Sequence, residues 1–429
     1  MSQTQVTPSA ARRIVRNAAS IVFGDAAGEV FVGYAIVLAA GSLGPAGFGR
    51  LSEAQAFMDP FDSLAALGLG NVAIMMAARR GDCDPSLRGT VWGIRTISAV
   101  LAALMGIAIA LATGRGALLP LLLVLAIGML VDPASVVALL PFQFNQAIHR
   151  RIAVPLVVGL VRLGGAYLAF SFLRRPVGFQ LAALAAVSVG AVINWALARR
   201  VYGGGLHFDR TLAIEMLRLG WPAAVLEFLV TLYTRAAYFL LHDAGFAVQG
   251  QYAAADRLLK PVMAVASAVF LSSLPTVAGM VAARRYASLQ SSYRRSVLQV
   301  SLGFTPVAAL AWGLAGWLLY RFAPAYSGAV WPFRALIVGA FFMFLNMLST
   351  TYIVSLGQFR TMMIVSIFNL FVYLLLAWQL IPRYGALGAA ISTAAMEAVN
   401  TLVQLSIVYR LLARAVVGDA GRTETPPGG

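Results

Sequence analysis

The sequence has a single lysine, Lys260, a single cysteine, Cys83, and three histidines among 429 residues. One cysteine rules out an intrachain disulfide framework. The lone lysine completes no GxxxxGK[ST] run, so there is no Walker A phosphate loop and no ATPase of the chain's own. His149, His207 and His242 are scattered without HExxH or other ligand spacing, and no metal site is expected. Charge is scarce as well, at 11% of residues. A chain that is 60% hydrophobic, with mean hydropathy +0.82, carries more apolar surface than an aqueous fold can bury. These absences point to an all-α, polytopic membrane protein that is not an enzyme. Asp82-Cys83-Asp84 imitates the DxD metal site of nucleotide-sugar transferases, but it lies in a short loop with no catalytic domain around it.

What charge there is leans basic, with a net charge of +16. Its distribution excludes nucleic acid as the partner: the basic residues fall in short loops between apolar windows and form no aromatic-interleaved patch. Twelve windows are long enough to cross a bilayer as helices: 18–41, 51–78, 91–113, 117–145, 152–173, 178–199, 219–241, 250–281, 296–320, 331–356, 360–381 and 386–411. With the N-terminus in the cytosol, the inner loops and tails hold 21 arginines and the outer side holds 7. This asymmetry places both termini inside.

The chain also repeats itself. Gly44–Pro60 reads GPAGFGRLSEAQAFMDP and Gly245–Pro261 reads GFAVQGQYAAADRLLKP, aligning Gly44 with Gly245, Gly49 with Gly250 and Pro60 with Pro261. At a slightly larger offset Arg150 aligns with Arg360 and Gly178 with Gly388. Six spans per half make the two copies parallel, related by an axis along the membrane normal. The expected organisation is a cytosolic N-terminal tail (1–15), an N-lobe (16–200), a cytosolic linker (201–218), a C-lobe (219–412) and a disordered cytosolic tail (413–429).

Intramembrane charges cost about 2.5–3.5 kcal/mol each on insertion scales, which makes them functional candidates. Asp25 and Glu29 lie four apart on one face of the first span, among Gly24, Gly28 and Gly33. They read either as a proton or sodium site on a hinge-like helix, or as ion-pair partners of neighbouring arginines with the glycines allowing close packing. Glu53 is expected to be solvated near the outer end of span two. Asp59 and Asp132 precede Pro60 and Pro133 and read as partners for backbone groups that a kink frees. Arg235 in span seven, with Arg257 and Lys260 three apart on span eight, could line one cationic cavity suited to a phosphate or diphosphate. The competing reading is an internal salt bridge between Asp256 and Lys260, spaced i,i+4. Arg162 is a further cavity candidate, and Glu397 with Asn400 is a further ion-site candidate.

Several runs are similar to one known family. Leu43-Gly44-Pro45-Ala46-Gly47-Phe48-Gly49, followed by Leu67-Gly68-Leu69, resembles the start of bacterial polysaccharide flippases, members of the multidrug/oligosaccharidyl-lipid/polysaccharide (MOP) exporter superfamily. The stretches Val248–Leu258, Leu274-Pro275 and Pro382–Ala390 resemble later motifs of the same family, in the same order. The resemblance implies a MATE-like fold of two six-helix lobes around a V-shaped cavity that opens alternately to the two sides. It implies translocation of a polyprenyl-diphosphate-linked oligosaccharide, a surface-polysaccharide precursor, across a bacterial inner membrane. It further implies a cationic lumen that maps onto Arg235, Arg257 and Lys260. Hinges are expected at Gly24, Gly28, Pro60 and Pro261. Coupling to Na+ or H+ is expected, with no other cofactor, and polysaccharide polymerase and glycosyltransferases are expected as partners. One position departs: Gly41 stands where the family often has arginine. The alternative within the superfamily is a cation-coupled multidrug antiporter using acids such as Asp25.

Overall fold

The computed structural model describes the backbone of residues 8–145 and 147–423, and side chains from residue 28 to 415 except 146, 261–262, 264–276, 278, 318, 322 and 359. Twelve α-helices follow one another, and no strand occurs among the described residues. They are α1 (Pro8–Ala66), α2 (Leu69–Arg80), α3 (Pro85–Ala112), α4 (Leu119–Phe144), α5 (Ala153–Leu168), α6 (Pro176–Tyr202), α7 (Arg210–Leu240), α8 (Phe246–Ala282), α9 (Tyr286–Phe322), α10 (Val330–Ser355), α11 (Phe359–Tyr384) and α12 (Ala386–Thr423). The chain divides into two compact units, Met1–Thr231 and Leu232–Gly429.

Ten segments among the described residues are long and apolar enough to cross a membrane. The first, Gly28–Arg80, takes in the described part of the first expected span and the whole of the second, and most of α8 beyond Lys260 has no described side chains. The spans keep leucine, isoleucine and tryptophan on their outer faces: Leu101, Leu104, Ile367, Trp378 and Leu402 are all exposed. Water would disfavour such faces and lipid does not, so this is a multi-pass membrane protein.

The first two spans are joined without a loop. Gly44 takes φ 62, ψ 179, a conformation open in practice only to glycine, and two helical stretches of α1 meet there across a kink. The second span is not continuous as its apolar run implied. It breaks at Leu67 (φ 50) and Gly68 (φ 61), where Gly220 of α7 comes so close that a Cβ on it would meet the Leu67 carbonyl oxygen at 2.6 Å. The helix continues through Pro60, which is buried. At the chain ends, α1 begins at Pro8 and α12 runs to Thr423, so helix extends into both segments expected to be tails. Alanine-rich sequence flanks both spans and favours helix.

The duplication shows in conformation and in packing. Gly245, aligned with Gly44, also takes positive φ with extended ψ (91, 155) at the start of α8. Gly178 and Gly388 are each the third residue of their helix. In the first unit α3 packs on α4, α4 on α6 and α5 on α6. In the second, six helices on, α9 packs on α10, α10 on α12 and α11 on α12. Within the first unit a buried cluster joins Leu69 and Met76 of α2, Leu87 and Val91 of α3, Leu140 of α4 and Met216 of α7. Within the second, Tyr293, Tyr352, Ile353 and Val408 form the corresponding centre.

Candidate functional site

Two polar constellations lie within the second unit. The first is built on α7 and α8. Arg235 is half-buried, and its Nη1 stands 3.9 Å from Asp256 Oδ2. The Tyr238 hydroxyl donates to the same carboxylate oxygen at 3.2 Å. Tyr238 is fixed from two sides: its ring meets Tyr252 edge-on at 5.3 Å, and its carbonyl accepts from Gln249 Nε2 at 3.1 Å. Asp256 is thereby held toward α7; Arg257, half-buried, and Lys260, exposed, stand on the same helix one residue and four residues further on.

The second constellation is built on α10 and α12. Glu397 is buried at 5% exposure and accepts from Asn346 Nδ2 at 2.6 Å and Asn400 Nδ2 at 3.4 Å. Asn346 Nδ2 also reaches the Glu397 carbonyl at 3.1 Å. Gln404 Nε2 donates to Asn400 Oδ1 at 3.0 Å, and Thr350 donates to Gln404 Oε1 at 3.0 Å. No arginine or lysine forms an ion pair with Glu397 among the described residues. A carboxylate so placed needs a proton or a small cation to be neutral. The sequence reading found Glu397 and Asn400 but missed Asn346, Thr350 and Gln404. A signal for Gln404 was available, since 397, 400, 401 and 404 form a polar stripe at helical spacing.

The remaining expected residues are dispersed. Gly24, Asp25 and Pro261 fall outside the described side chains. Glu29 is exposed on α1, and Arg162 is half-buried on α5 of the first unit. Gly28 meets α5 so closely that a Cβ would lie 2.7 Å from the Pro155 carbonyl oxygen, which gives it a packing role at the α1–α5 crossing.

Two further acids stand otherwise than expected. Glu53 is not solvated: it is 1% exposed and paired with Arg115 at 3.3 Å, and that guanidinium lies 5.3 Å from the centre of the Phe57 ring. The helix packing around its end covers it, which its place near a span terminus did not reveal. Asp132 pairs with Arg95 at 2.6 Å and does not serve as a partner for backbone freed by Pro133. Among the described residues no group of three or more His, Cys, Asp or Glu side chains could hold a metal ion.

A sequence profile of the polysaccharide biosynthesis protein family matches residues 14–281, well over half of the chain. The chain belongs to this family. No curated protein matches it by sequence. Solved structures share its fold. An inward-facing multidrug resistance MATE family transporter of the MOP superfamily is similar at TM-score 0.73 and 15% identity, covering 94% of this chain and 98% of that one. An outward-facing multidrug resistance MATE family transporter of the MOP superfamily gives TM-score 0.61 at 16% identity, covering 94% and 96%. A MATE in complex with MaL6 gives 0.65 at 16%, again covering 94% and 96%. The chain thus combines membership of the polysaccharide biosynthesis protein family with the fold of these MATE transporters. The family match takes in Arg235, Arg257 and Lys260; Glu397 lies beyond it.

Proposed function

We propose that the protein is a flippase that carries a polyprenyl-diphosphate-linked oligosaccharide from the cytosolic to the periplasmic leaflet of a bacterial inner membrane by alternating access. The observation that carries this reading is the family match over 14–281, which contains the α7–α8 cations. A sugar diphosphate cannot cross hydrocarbon unaided. Arg235 and Arg257 offer planar guanidinium forks for phosphate oxygens, and Lys260 offers a point charge. Tyr238 and Arg235 restrain Asp256, so its carboxylate is engaged on the α7 side. Glu397 is the coupling carboxylate in this proposal. Proton or sodium binding there would change the charge of the α10–α12 interface, and Asp25 and Glu29 remain secondary candidates.

The test is complementation of a host lacking its own flippase. Arg257→Ala and Lys260→Ala at normal protein level are each expected to lower surface polysaccharide at least tenfold, with lipid-linked sugar accumulating inside. Glu397→Gln is expected to abolish the pH or sodium dependence of flipping in reconstituted vesicles. Normal polysaccharide in both cation variants refutes the anion site. A drug-efflux defect with no polysaccharide defect in the deletion strain replaces the reading with a multidrug antiporter.

A further inference from the structure

Arg88, on the second turn of α3, has no role in the sites above. It is only 6% exposed, and its Nη1 donates to the Gly203 carbonyl at 3.0 Å. Its Nε is buried with no hydrogen-bond partner among the described residues, and it belongs to none of the described ion pairs. A guanidinium keeps its charge at every accessible pH, so this one is a buried cation short of an anion.

The space beside it is a small, partly open cleft wholly inside the first unit. Val137 and Ala138 of α4, with Trp195 and Ala198 of α6, supply apolar walls. Arg199 adds a second guanidinium from an exposed position, and the extended segment after α6 adds Gly203 and Gly204. No acidic residue lines it. That segment is held in place: His207 N donates to the Pro85 carbonyl at 2.9 Å and Asp209 N to Thr90 Oγ1 at 2.9 Å. The pocket lies beside Arg199 and Arg200, in the loop that the arginine asymmetry assigns to the cytosolic side.

We propose that this pocket binds a phosphate oxyanion, with Arg88 as the buried partner and Arg199 as the partner at the mouth. The source is either the headgroup of an acidic phospholipid or free phosphate. The site is separate from the α7–α8 cations and stands or falls independently of the flippase reading.

The full-length protein in neutral detergent is titrated with dioctanoyl-phosphatidylglycerol, with dioctanoylglycerol as the phosphate-free control, and with inorganic phosphate at ionic strength held constant by potassium chloride. The thermal unfolding midpoint is the readout. A saturable rise with either phosphate compound, absent with dioctanoylglycerol, is expected. Arg199→Gln is expected to raise the half-saturating concentration at least tenfold, equivalent to about 1.4 kcal/mol. Protection by the lipid alone identifies a headgroup, and comparable protection by inorganic phosphate identifies the free ion. Arg88→Gln also removes the bond to Gly203 and can fail to fold, so the exposed Arg199 carries the test. Absence of protection, or an unchanged half-saturation in Arg199→Gln, overturns the proposal and leaves the pocket to water.

Discussion

At the residue scale, buried charge is met here by specific partners. Glu53 and Arg115 form a pair that burial makes sensitive to loss of either member. Glu53→Gln is expected to destabilise the first unit by about 3–5 kcal/mol, because Arg115 is left without its counter-charge. The double change Glu53→Met, Arg115→Met should recover most of that loss in thermal unfolding of the detergent-solubilised protein. Cys83 is the other informative residue. Burial, reinforced by Asp82 and Asp84 and opposed by Arg88, pushes its thiol up to about 11. The folded value lies above the unfolded one, so the stability it contributes is present below about pH 9 and is lost as pH rises towards 11. The thiolate is the reacting form. Alkylation of the native protein at pH 7.5 should therefore be at least tenfold slower than after denaturation, and should accelerate as pH climbs.

At the element scale, close backbone approaches decide geometry that apolar windows cannot encode. The segment 203–209 lies on the start of α3, where a Cβ on Gly89 would come 2.3 Å from the His207 carbonyl oxygen. Gly89→Val is expected to displace this segment at a cost of about 1–3 kcal/mol, as overpacking does. Faster limited proteolysis between Gly203 and Asp209 checks it, and wild-type protease resistance would count against it. The break at Leu67–Gly68 has the same kind of origin: α7 packs where the second span would have continued.

At the scale of the whole molecule, the arginine asymmetry predicts both termini in the cytosol. A fluorescent reporter that matures only in the cytosol should fluoresce when fused after residue 429, and alkaline phosphatase at the same place should be inactive. The reverse pattern would invert the assignment, and with it the cytosolic placing of the Arg88 pocket. The recurrence of the α3–α4, α4–α6 and α5–α6 contacts as α9–α10, α10–α12 and α11–α12 ties each half to one ancestral six-helix plan.

Composition and periodicity were enough to determine the membrane class, the all-helical fold, the doubled plan and the cation-bearing helices, because these depend on hydropathy and on spacing along the chain. The order of the glycine-rich motifs was enough to point to the family. Only the tertiary structure decided which charges meet. Glu53 with Arg115, Asp132 with Arg95 and Glu397 with Asn346 are separated by 62, 37 and 51 positions, and no local pattern brings such residues together. The same holds for the unpaired edge of Arg88, whose surroundings come from three helices and a connecting segment. Solvation of a charged group depends on what covers it, and that covering is contributed by neighbours distant in the chain.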